Sequence, residues 1–304
     1  MNDSADWAKF RMPTWEEDIS INHDSTAPFE NFLAPCEMPI EEFRHKDVLP
    51  DELTGGIPIA DFVARDTYPI PDAGDREGYN PNFNARFFMT GLADYLKIRA
   101  TADLYDVDLQ SYFDFGCASG RVLRHFCAQS EIPTLWGSDI NGRHIRWLND
   151  YLPPRLKIIH NNCIPQLPIA DNSIDVVSAF SVFTHIDTFE TAWLAELYRV
   201  LRPGGLCYLT VHNDDTWKLL QAAPDTDLLL KRLRDVEPNF DELLKQDIPT
   251  ERRCFRYTPV GAYRALVVHS NAYLKKTWGR FFEILEIRGK AHGSMQSVLV
   301  GRKV

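Results

Sequence analysis

The sequence has no apolar run long enough to cross a membrane and no cysteines at metal-binding spacing. A membrane helix needs about 18 or more consecutive apolar residues, and no window approaches that length. The six cysteines, at positions 36, 117, 127, 163, 207 and 254, include no Cys-x-x-Cys pair and no Cys/His cluster. We therefore predict no disulfide framework and no structural metal site.

Positive charge is also scarce. The chain has 33 Lys and Arg residues against 43 Asp and Glu residues, a net charge of −10. Such a surface repels phosphate backbones, which argues against a nucleic-acid partner. The N-terminal segment is acidic where a signal peptide is basic, so we expect no export signal and a cytoplasmic location.

The 304 residues divide into two stretches of different character. Residues 1–85 are rich in Pro, Asp, Glu and Asn and predict an N-terminal extension that is partly irregular. Residues 86–304 carry alternating strand and helix patterns and predict one α/β domain. A more helical stretch, at about 214–260, interrupts that alternation and predicts an insertion above the sheet.

Alternating strands and helices imply a mostly parallel sheet with helices on both faces. Two closing strands joined by a short connection imply an antiparallel hairpin at one edge. A helix over 189–201 should end at a Pro-Gly-Gly turn, from which the next strand runs over 205–213. The other predicted strands are 111–116, 134–140, 155–161 and 174–180, and the other predicted helices are 121–129 and 142–152.

The clearest motif is Asp-Phe-Gly-Cys-Ala-Ser-Gly-Arg at residues 114–121, on the first strand-to-helix turn. Glycines at 116 and 120 let the backbone turn tightly and approach a ligand, and the amides that open the next helix point toward it. A turn without a ligand would use the same residues. Asp139, at the end of the second strand, is placed to bind ribose hydroxyls, although it would also serve as a helix cap.

The first turn distinguishes two cofactors. A dinucleotide site has the pattern G-x-G-x-x-G, whereas this turn reads D-x-G-x-x-x-G. A carboxylate at Asp114 would repel a pyrophosphate but attract the cationic amino group of S-adenosylmethionine (SAM). The residues therefore favour SAM over NAD.

In combination, these motifs make the chain from about residue 85 onward resemble a class I SAM-dependent methyltransferase with a Rossmann-like sheet. The stretches Ser-Asp-Ile at 138–140, 161–186 and Glu-Leu-Tyr-Arg-Val-Leu-Arg-Pro-Gly-Gly at 196–205 extend the resemblance. Ala118 stands where this family usually has a glycine, and Asn162-Cys163 where it often has an acidic residue. The resemblance implies SAM as cofactor and the following cofactor-binding residues: Asp114, Gly116, Cys117, Ala118, Gly120, Asp139, Ile140, Asn162, Cys163, Ile164, Phe180, Ser181 and Val182.

The segments Ser-Val-Phe-Thr-His-Ile-Asp (181–187) and Leu-Thr-Val-His-Asn-Asp (209–214) resemble bacterial methyltransferases that accompany glycosyltransferases in polysaccharide assembly. That resemblance implies O-methylation of a glycan or of another small polar acceptor. His185 and His212 would lie at the carboxyl ends of strands, where either one is a candidate base. Aromatic and polar residues of the extension and insertion are candidates for the acceptor wall: Tyr79, Asn80, Phe83, Trp217 and Tyr257.

Two alternatives remain at this point. The altered positions Ala118 and Asn162-Cys163 also suit a catalytically inactive SAM-fold binding module. An NAD(P)-dependent oxidoreductase is the third hypothesis. The sequence does not indicate an oligomeric state.

Overall fold

The computed structural model describes residues 49–77, 79, 83–224, 227–248, 251–257, 263–293 and 295–304. Within these ranges, no helix combines the length and the apolar character that crossing a membrane requires. The strands in the described residues are β1 Ser111–Phe115, β2 Thr134–Asp139, β3 Leu156–His160, β4 Ile174–Ala179, β5 Leu201–Val211, β6 Arg252–Arg256, β7 Ala265–His269, β8 Glu283–His292 and β9 Gln296–Arg302.

Seven strands form one sheet in the order β3-β2-β1-β4-β5-β9-β8. The first five pair in parallel, while β9 pairs antiparallel with both β5 and β8. The predicted fold class, a mostly parallel Rossmann-like sheet with an antiparallel C-terminal hairpin at its edge, is confirmed. The helices are α1 Asp51–Thr54, α2 Ile59–Arg65, α3 Asn84–Leu104, α4 Leu123–Gln129, α5 Gly142–Tyr151, α6 Glu190–Val200, α7 Asp214–Gln221, α8 Leu228–Val236, α9 Phe240–Leu244 and α10 Asn271–Thr277.

Helices cover both faces of the sheet because successive residues of its central strands point to opposite sides. All five residues of β1 are buried. On one face Tyr112 stacks on Phe126 of α4, with ring centroids 3.6 Å apart. On the other face Phe115 packs against Trp193 of α6, at 4.6 Å. This arrangement explains why β1 and β4 are buried throughout instead of alternating between buried and exposed positions.

The structure differs from the sequence prediction at the start of β5. We expected Arg202 to Gly205 to form a turn before the strand, but the strand already begins at Leu201. Leu201 pairs with Ile174, and the register then shifts so that Leu206 pairs with Val176. The Pro-Gly-Gly segment is therefore accommodated as an irregularity inside the strand, with Gly204 at φ +81°.

The segment after β5 contains α7, α8 and α9 and also the antiparallel strands β6 and β7. A separate apolar cluster, which includes Trp217, Phe240 and Phe255, holds these elements together. The amide of Val267 in β7 donates to the carbonyl of Thr184, and that of His269 donates to the carbonyl of His212, both at 2.8 Å. The inserted hairpin thus rests on the loops that follow β4 and β5.

Ion pairs attach the segment that precedes the sheet. Arg124 of α4 donates to both carboxylate oxygens of Asp66, at 2.7 and 2.9 Å, and both side chains are buried. Arg143 of α5 forms a second ion pair, with Asp75. The described part of the predicted extension is therefore folded onto the domain, with α1 and α2 as its short helices. The proposed division at residue 85 stays a prediction.

Candidate functional site

The turn between β1 and α4 is a tight loop built from residues with positive φ. Gly116, Ala118 and Gly120 have φ values of +73°, +46° and +82°. The amide of Gly116 donates to the carbonyl of Ser138 at 2.8 Å, and the amide of Ala118 donates to Oδ2 of Asp139 at 2.8 Å. The loop is therefore tied to the end of β2, and Ala118 accepts the left-handed conformation that glycine usually occupies.

Asp114 lies at the base of this loop and is almost fully enclosed, with 2% of its surface exposed. Ser178 of β4 donates a hydrogen bond of 2.7 Å to its Oδ1. Burial raises the pKa of Asp114 to about 7, against the opposing effects of that hydrogen bond and of Arg121. A cation bound beside this carboxylate would favour its ionised form.

Asp139 has a structural role in addition to its predicted one. Its Oδ1 accepts from the amide of Asn141 at 2.8 Å, while its Oδ2 holds Ala118. Burial opposes ionisation, but the side chain of His144 and these amides hold the pKa of Asp139 below its usual value. Lone pairs remain for a ribose, because a carboxylate has about four acceptor sites.

The sequence analysis did not select His144. It lies on α5, 2% exposed, with Nδ1 3.8 Å from Asp139 Oδ1 and Nε2 3.3 Å from Glu77 Oε1. Although burial disfavours its charged form, Asp139 and Glu77 raise the pKa of His144 above its usual value. The only feature of the sequence that points to His144 is its position near the start of the helix that follows Asp139.

The loop after β3 contains the residues expected near adenine. Asn162 is exposed, and its Oδ1 accepts from the amide of Ile164 at 2.8 Å, so its carboxamide closes a local turn. Cys163 is buried and Ile140 is partly exposed. The neighbouring Asn161, which the sequence analysis did not select, is 6% exposed, and its buried Oδ1 has no hydrogen-bond partner among the described residues.

Residues 180–182 leave β4 and pack against the glycine loop. A Cβ on Gly116 would overlap Val182, so the glycine is required for this contact. Ser181 has φ +57°, and its amide donates to Oγ1 of Thr210 at 2.7 Å. The hydroxyl of Tyr79, from the segment before the sheet, lies 2.9 Å from Ser181 Oγ. The structure thus brings Tyr79 directly to the predicted cofactor residues.

Arg121 follows the glycine loop and is 5% exposed. Its Nη2 lies 2.8 Å from Oδ2 of Asp94 in α3, and its guanidinium carbon lies 4.2 Å from the ring centroid of Tyr79 and 5.5 Å from that of Phe180. His292 Nδ1 lies 3.2 Å from the same Asp94 oxygen. Although burial favours the neutral forms, this pairing raises the pKa of Arg121 and keeps Asp94 ionised.

The two histidines considered as bases differ in their environments. His185 is partly exposed, and its Nδ1 lies 2.7 Å from the carbonyl oxygen of Ala265 in β7. Burial lowers the pKa of His185, against the opposing effect of that carbonyl. His212 is 6% exposed, and burial, with His185 and His269 nearby, lowers its pKa to about 3. Both imidazoles are therefore neutral at pH 7.

A buried network of ion pairs and hydrogen bonds around Glu190 contacts β7 through His269. Oε2 of Glu190 lies 2.8 Å from Arg252 Nη1 and 3.0 Å from His269 Nε2, and its Oε1 accepts from Tyr273 and Trp278 at 3.0 and 2.8 Å. These donors outweigh the effect of burial and hold the pKa of Glu190 at about 2. The network joins α6, β6, β7 and the C-terminal helical region.

The residues suggested for an acceptor wall differ in how deeply the structure buries them. Trp217 is 2% exposed and its Nε1 donates to the carbonyl of Gln246, so it is core of the inserted unit and the wall assignment was wrong. Tyr79 and Tyr257 are partly buried, whereas Phe83 is 50% exposed. Asn80 lies outside the described residues.

The donors and acceptors around the glycine loop fit a polar, zwitterionic ligand such as SAM. Ser119 Oγ, Arg121 Nη1 and Asn161 Oδ1 are buried and have no hydrogen-bond partner among the described residues. Buried polar atoms in native proteins normally have partners. These three atoms lie on the loops after β1 and β3. Together with the carboxylates of Asp114 and Asp139, they could form hydrogen bonds and ion pairs with such a ligand.

Comparisons with known proteins agree with this geometry. Residues 113–209 match the family model of a methyltransferase domain. A probable S-adenosylmethionine-dependent methyltransferase of Mycolicibacterium smegmatis is 36% identical over 90 residues, which span 30% of this chain and only 32% of that protein.

The solved structures that resemble the chain include the following two. One is 1,6-didemethyltoxoflavin-N1-methyltransferase of Burkholderia thailandensis, with 12% identity, a TM-score of 0.49 and coverage of 89% of this chain and 94% of the other. It was solved with 1,6-didemethyltoxoflavin and S-adenosylhomocysteine bound. The other is a SAM-dependent methyltransferase of Methanosarcina mazei, with 19% identity, a TM-score of 0.46 and coverage of 66% and 97%.

Proposed function

We propose that this protein is a SAM-dependent methyltransferase that methylates a hydroxyl oxygen of a sugar, a glycan or another small polar acceptor. The match over residues 113–209 supports the reaction class. The net charge of −10 disfavours a nucleic-acid acceptor. The observation that carries the choice of oxygen is the hydrogen bond between His185 and Ala265.

That hydrogen bond selects one tautomer of His185. A carbonyl oxygen only accepts, so Nδ1 carries the proton and Nε2 carries the lone pair of the neutral ring. Because burial lowers the pKa of His185, this form predominates at pH 7. A hydroxyl acceptor needs a group that removes its proton, and a neutral histidine whose Nε2 carries the lone pair is suited to that role.

Each part of the site has a role in this proposal. Bound SAM supplies an activated methyl group on its sulfonium sulfur. Asp114 would hold the cofactor's ammonium group and Asp139 its ribose, while residues 161–164 line the adenine side. The elements around β7 would orient the acceptor hydroxyl toward Nε2 of His185. Alignment of two reactants contributes roughly 7–11 kcal/mol, so positioning dominates and the base adds to it.

His212 remains a candidate base, but its environment favours a structural role. It is more deeply buried than His185, and its Nδ1 has no partner within the described part of the chain. Its pKa of about 3 makes it a weak proton acceptor. We assign the catalytic role to His185 and propose that His212 supports the contact with β7.

The proposal is tested by methyl transfer to a panel of nucleotide sugars, free glycans and small acids, read as a mass gain of one methyl group. His185→Gln keeps a donor for the Ala265 carbonyl but removes the base. We expect S-adenosylhomocysteine binding within twofold of wild type and turnover roughly 10²–10⁴-fold lower. At saturating SAM, the wild-type rate should rise with pH below about 6.5 and then level off, and the variant should lose this pH dependence.

Unchanged turnover in His185→Gln would remove the base assignment. Stabilisation by S-adenosylhomocysteine without turnover on any acceptor would indicate a binding module. Stabilisation by NAD(H) alone would indicate the oxidoreductase. The asparagine variant of Asp114 and the alanine variant of Asp139 serve as cofactor-site controls, because they should weaken binding itself.

A further inference from the structure

The loop after β4, which carries His185, is held by the hairpin of β6 and β7. The amide of Val267 in β7 donates to the carbonyl of Thr184 at 2.8 Å. Nδ1 of His185 donates to the carbonyl of Ala265 at 2.7 Å. These two bonds fix the residue before His185 and the imidazole itself, and both partners belong to β7.

Arg252 of β6 fixes the residues that follow His185. Its Nη1 donates to the carbonyl of Ile186 at 3.3 Å and lies 2.8 Å from Oε2 of Glu190, while its Nη2 donates to the carbonyl of Asp187 at 2.8 Å. Hydrogen bonds from a charged donor are stronger than those between neutral groups. One guanidinium therefore connects two carbonyls of the loop with the buried carboxylate at the start of α6.

The register of the hairpin couples these contacts to each other. Arg252 pairs with His269, and Arg256 pairs with Ala265. Nη1 of Arg256 also lies 2.7 Å from Oδ2 of Asp187. The strand that binds the loop carbonyls and the strand that binds the imidazole are thus neighbours in one ladder. A shift of β6 relative to the loop would also shift the carbonyl that orients the ring.

We propose that Arg252 is a positioning residue for His185, an inference that rests on the proposed function. Through the two loop carbonyls and its own strand, Arg252 keeps the imidazole where the Ala265 carbonyl accepts the Nδ1 proton. Nε2 then keeps the lone pair that a hydroxyl acceptor needs. Because misplacement of a reacting group by about 1 Å can cost roughly 10²-fold in rate, loss of this guanidinium should affect turnover far more than cofactor binding.

A double-mutant cycle tests whether Arg252 acts through His185. Arg252→Gln removes the charge and the fork of two nitrogens. We expect kcat to fall roughly 10- to 100-fold, with the affinity for S-adenosylhomocysteine changed by less than about twofold. In the His185→Gln background the same substitution should lower kcat by less than about twofold, because the group that it positions is already absent.

The tautomer of His185 provides a second measurement, which does not need turnover. Nitrogen-15 chemical shifts distinguish a protonated ring nitrogen from one that carries a lone pair, and the spectrum of His185→Gln identifies the signals of this histidine. At about pH 8 the wild type should show the proton on Nδ1 and the lone pair on Nε2. In Arg252→Gln the two shifts should move toward each other as the tautomers mix.

Arg234→Gln is the matched control, because Arg234 lies in α8 of the same inserted segment and pairs with Asp241 at 2.8 Å. It should keep the wild-type kcat and tautomer. Arg252→Lys keeps a charge beside Glu190 but lacks the planar fork that reaches both carbonyls. Its kcat should lie between those of the wild type and Arg252→Gln, and it replaces Arg252→Gln if that variant does not fold.

Three results would overturn the inference while leaving the proposed function intact. The first is an Arg252→Gln variant with an unchanged tautomer or an unchanged kcat. The second is an equal loss of kcat with and without His185. The third is a loss of S-adenosylhomocysteine affinity as large as the loss of kcat, which would show a purely structural role. A wild type that methylates no acceptor would instead refute the proposed function, and an unchanged tautomer in Arg252→Gln would then still overturn the inference.

Discussion

The raised pKa of Asp114 makes cofactor binding depend on pH. In the free protein, burial brings this pKa to about 7. An ammonium bound beside the carboxylate requires its ionised form, so affinity should increase as pH rises through 7 and level off above about 8. The ionised fraction changes about tenfold between pH 6 and pH 8, which corresponds to about 1.4 kcal/mol of binding free energy.

Calorimetric titration of S-adenosylhomocysteine at pH 6, 7 and 8 measures this effect directly. Titrations at pH 7 in buffers of different ionisation enthalpy should show release of roughly half a proton, because about half of the Asp114 carboxyls are protonated before binding. Decarboxylated S-adenosylhomocysteine should share the pH dependence, since it keeps the ammonium, whereas 5′-methylthioadenosine should not.

Asp114→Asn is the matched variant. It keeps the hydrogen bond from Ser178 but cannot ionise. We expect pH-independent and weaker S-adenosylhomocysteine binding. Because this carboxyl ionises near pH 3.8 in the unfolded chain but near pH 7 in the folded protein, the wild type loses stability as pH rises from about 4 to 7, and the loss is complete above 7. The variant without cofactor should therefore be more stable than the wild type by up to roughly 4 kcal/mol at pH 8. Equal affinity of the wild type at pH 6 and 8 would refute the reasoning.

Three further substitutions test the structure by urea denaturation. Ala118→Gly removes the strain of a left-handed φ of +46° but adds conformational freedom to the unfolded chain. Because these effects oppose each other, the free energy of unfolding should change by less than about 1 kcal/mol. A larger loss of stability would show that Ala118 is not strained. Gly116→Ala places a Cβ against Val182 and should cost at least about 2 kcal/mol. Glu190→Gln leaves buried donors uncompensated and should cost about 3–5 kcal/mol at pH 7. Because the depressed pKa of Glu190 is about 2, that difference should vanish as pH falls from above 4.5 toward 2.

Local patterns were sufficient to predict the sheet and to select the central residues of the candidate cofactor site. Asp114 and Asp139 could be selected because each stands at a fixed position relative to a strand end, and parallel strands bring their carboxyl ends to one edge. The start of β5 at Leu201 was missed because a Pro-Gly-Gly segment normally signals a turn, and only pairing with Ile174 draws it into the strand.

Contacts between distant segments decided the rest. Arg121 is part of the quoted motif, yet its unused Nη1 follows from enclosure by Asp94, Tyr79 and Phe180, which belong to three other segments. Trp217 was a candidate for the acceptor wall because it is aromatic, but it packs in the apolar cluster of the segment after β5. No spacing rule predicts such enclosure, because burial is a property of packed elements rather than of neighbours in sequence.

The sequence by itself determined an α/β sheet, a glycine loop with a carboxylate at its base, and a preference for a cationic cofactor over a dinucleotide. Those properties depend on backbone geometry and on charges a few residues apart. The tertiary structure decided which nitrogen of His185 carries a proton, because Ala265 lies 80 positions later in β7. It also decided which buried polar atoms of the described residues have hydrogen-bond partners, because satisfying a hydrogen bond depends on every element packed around it.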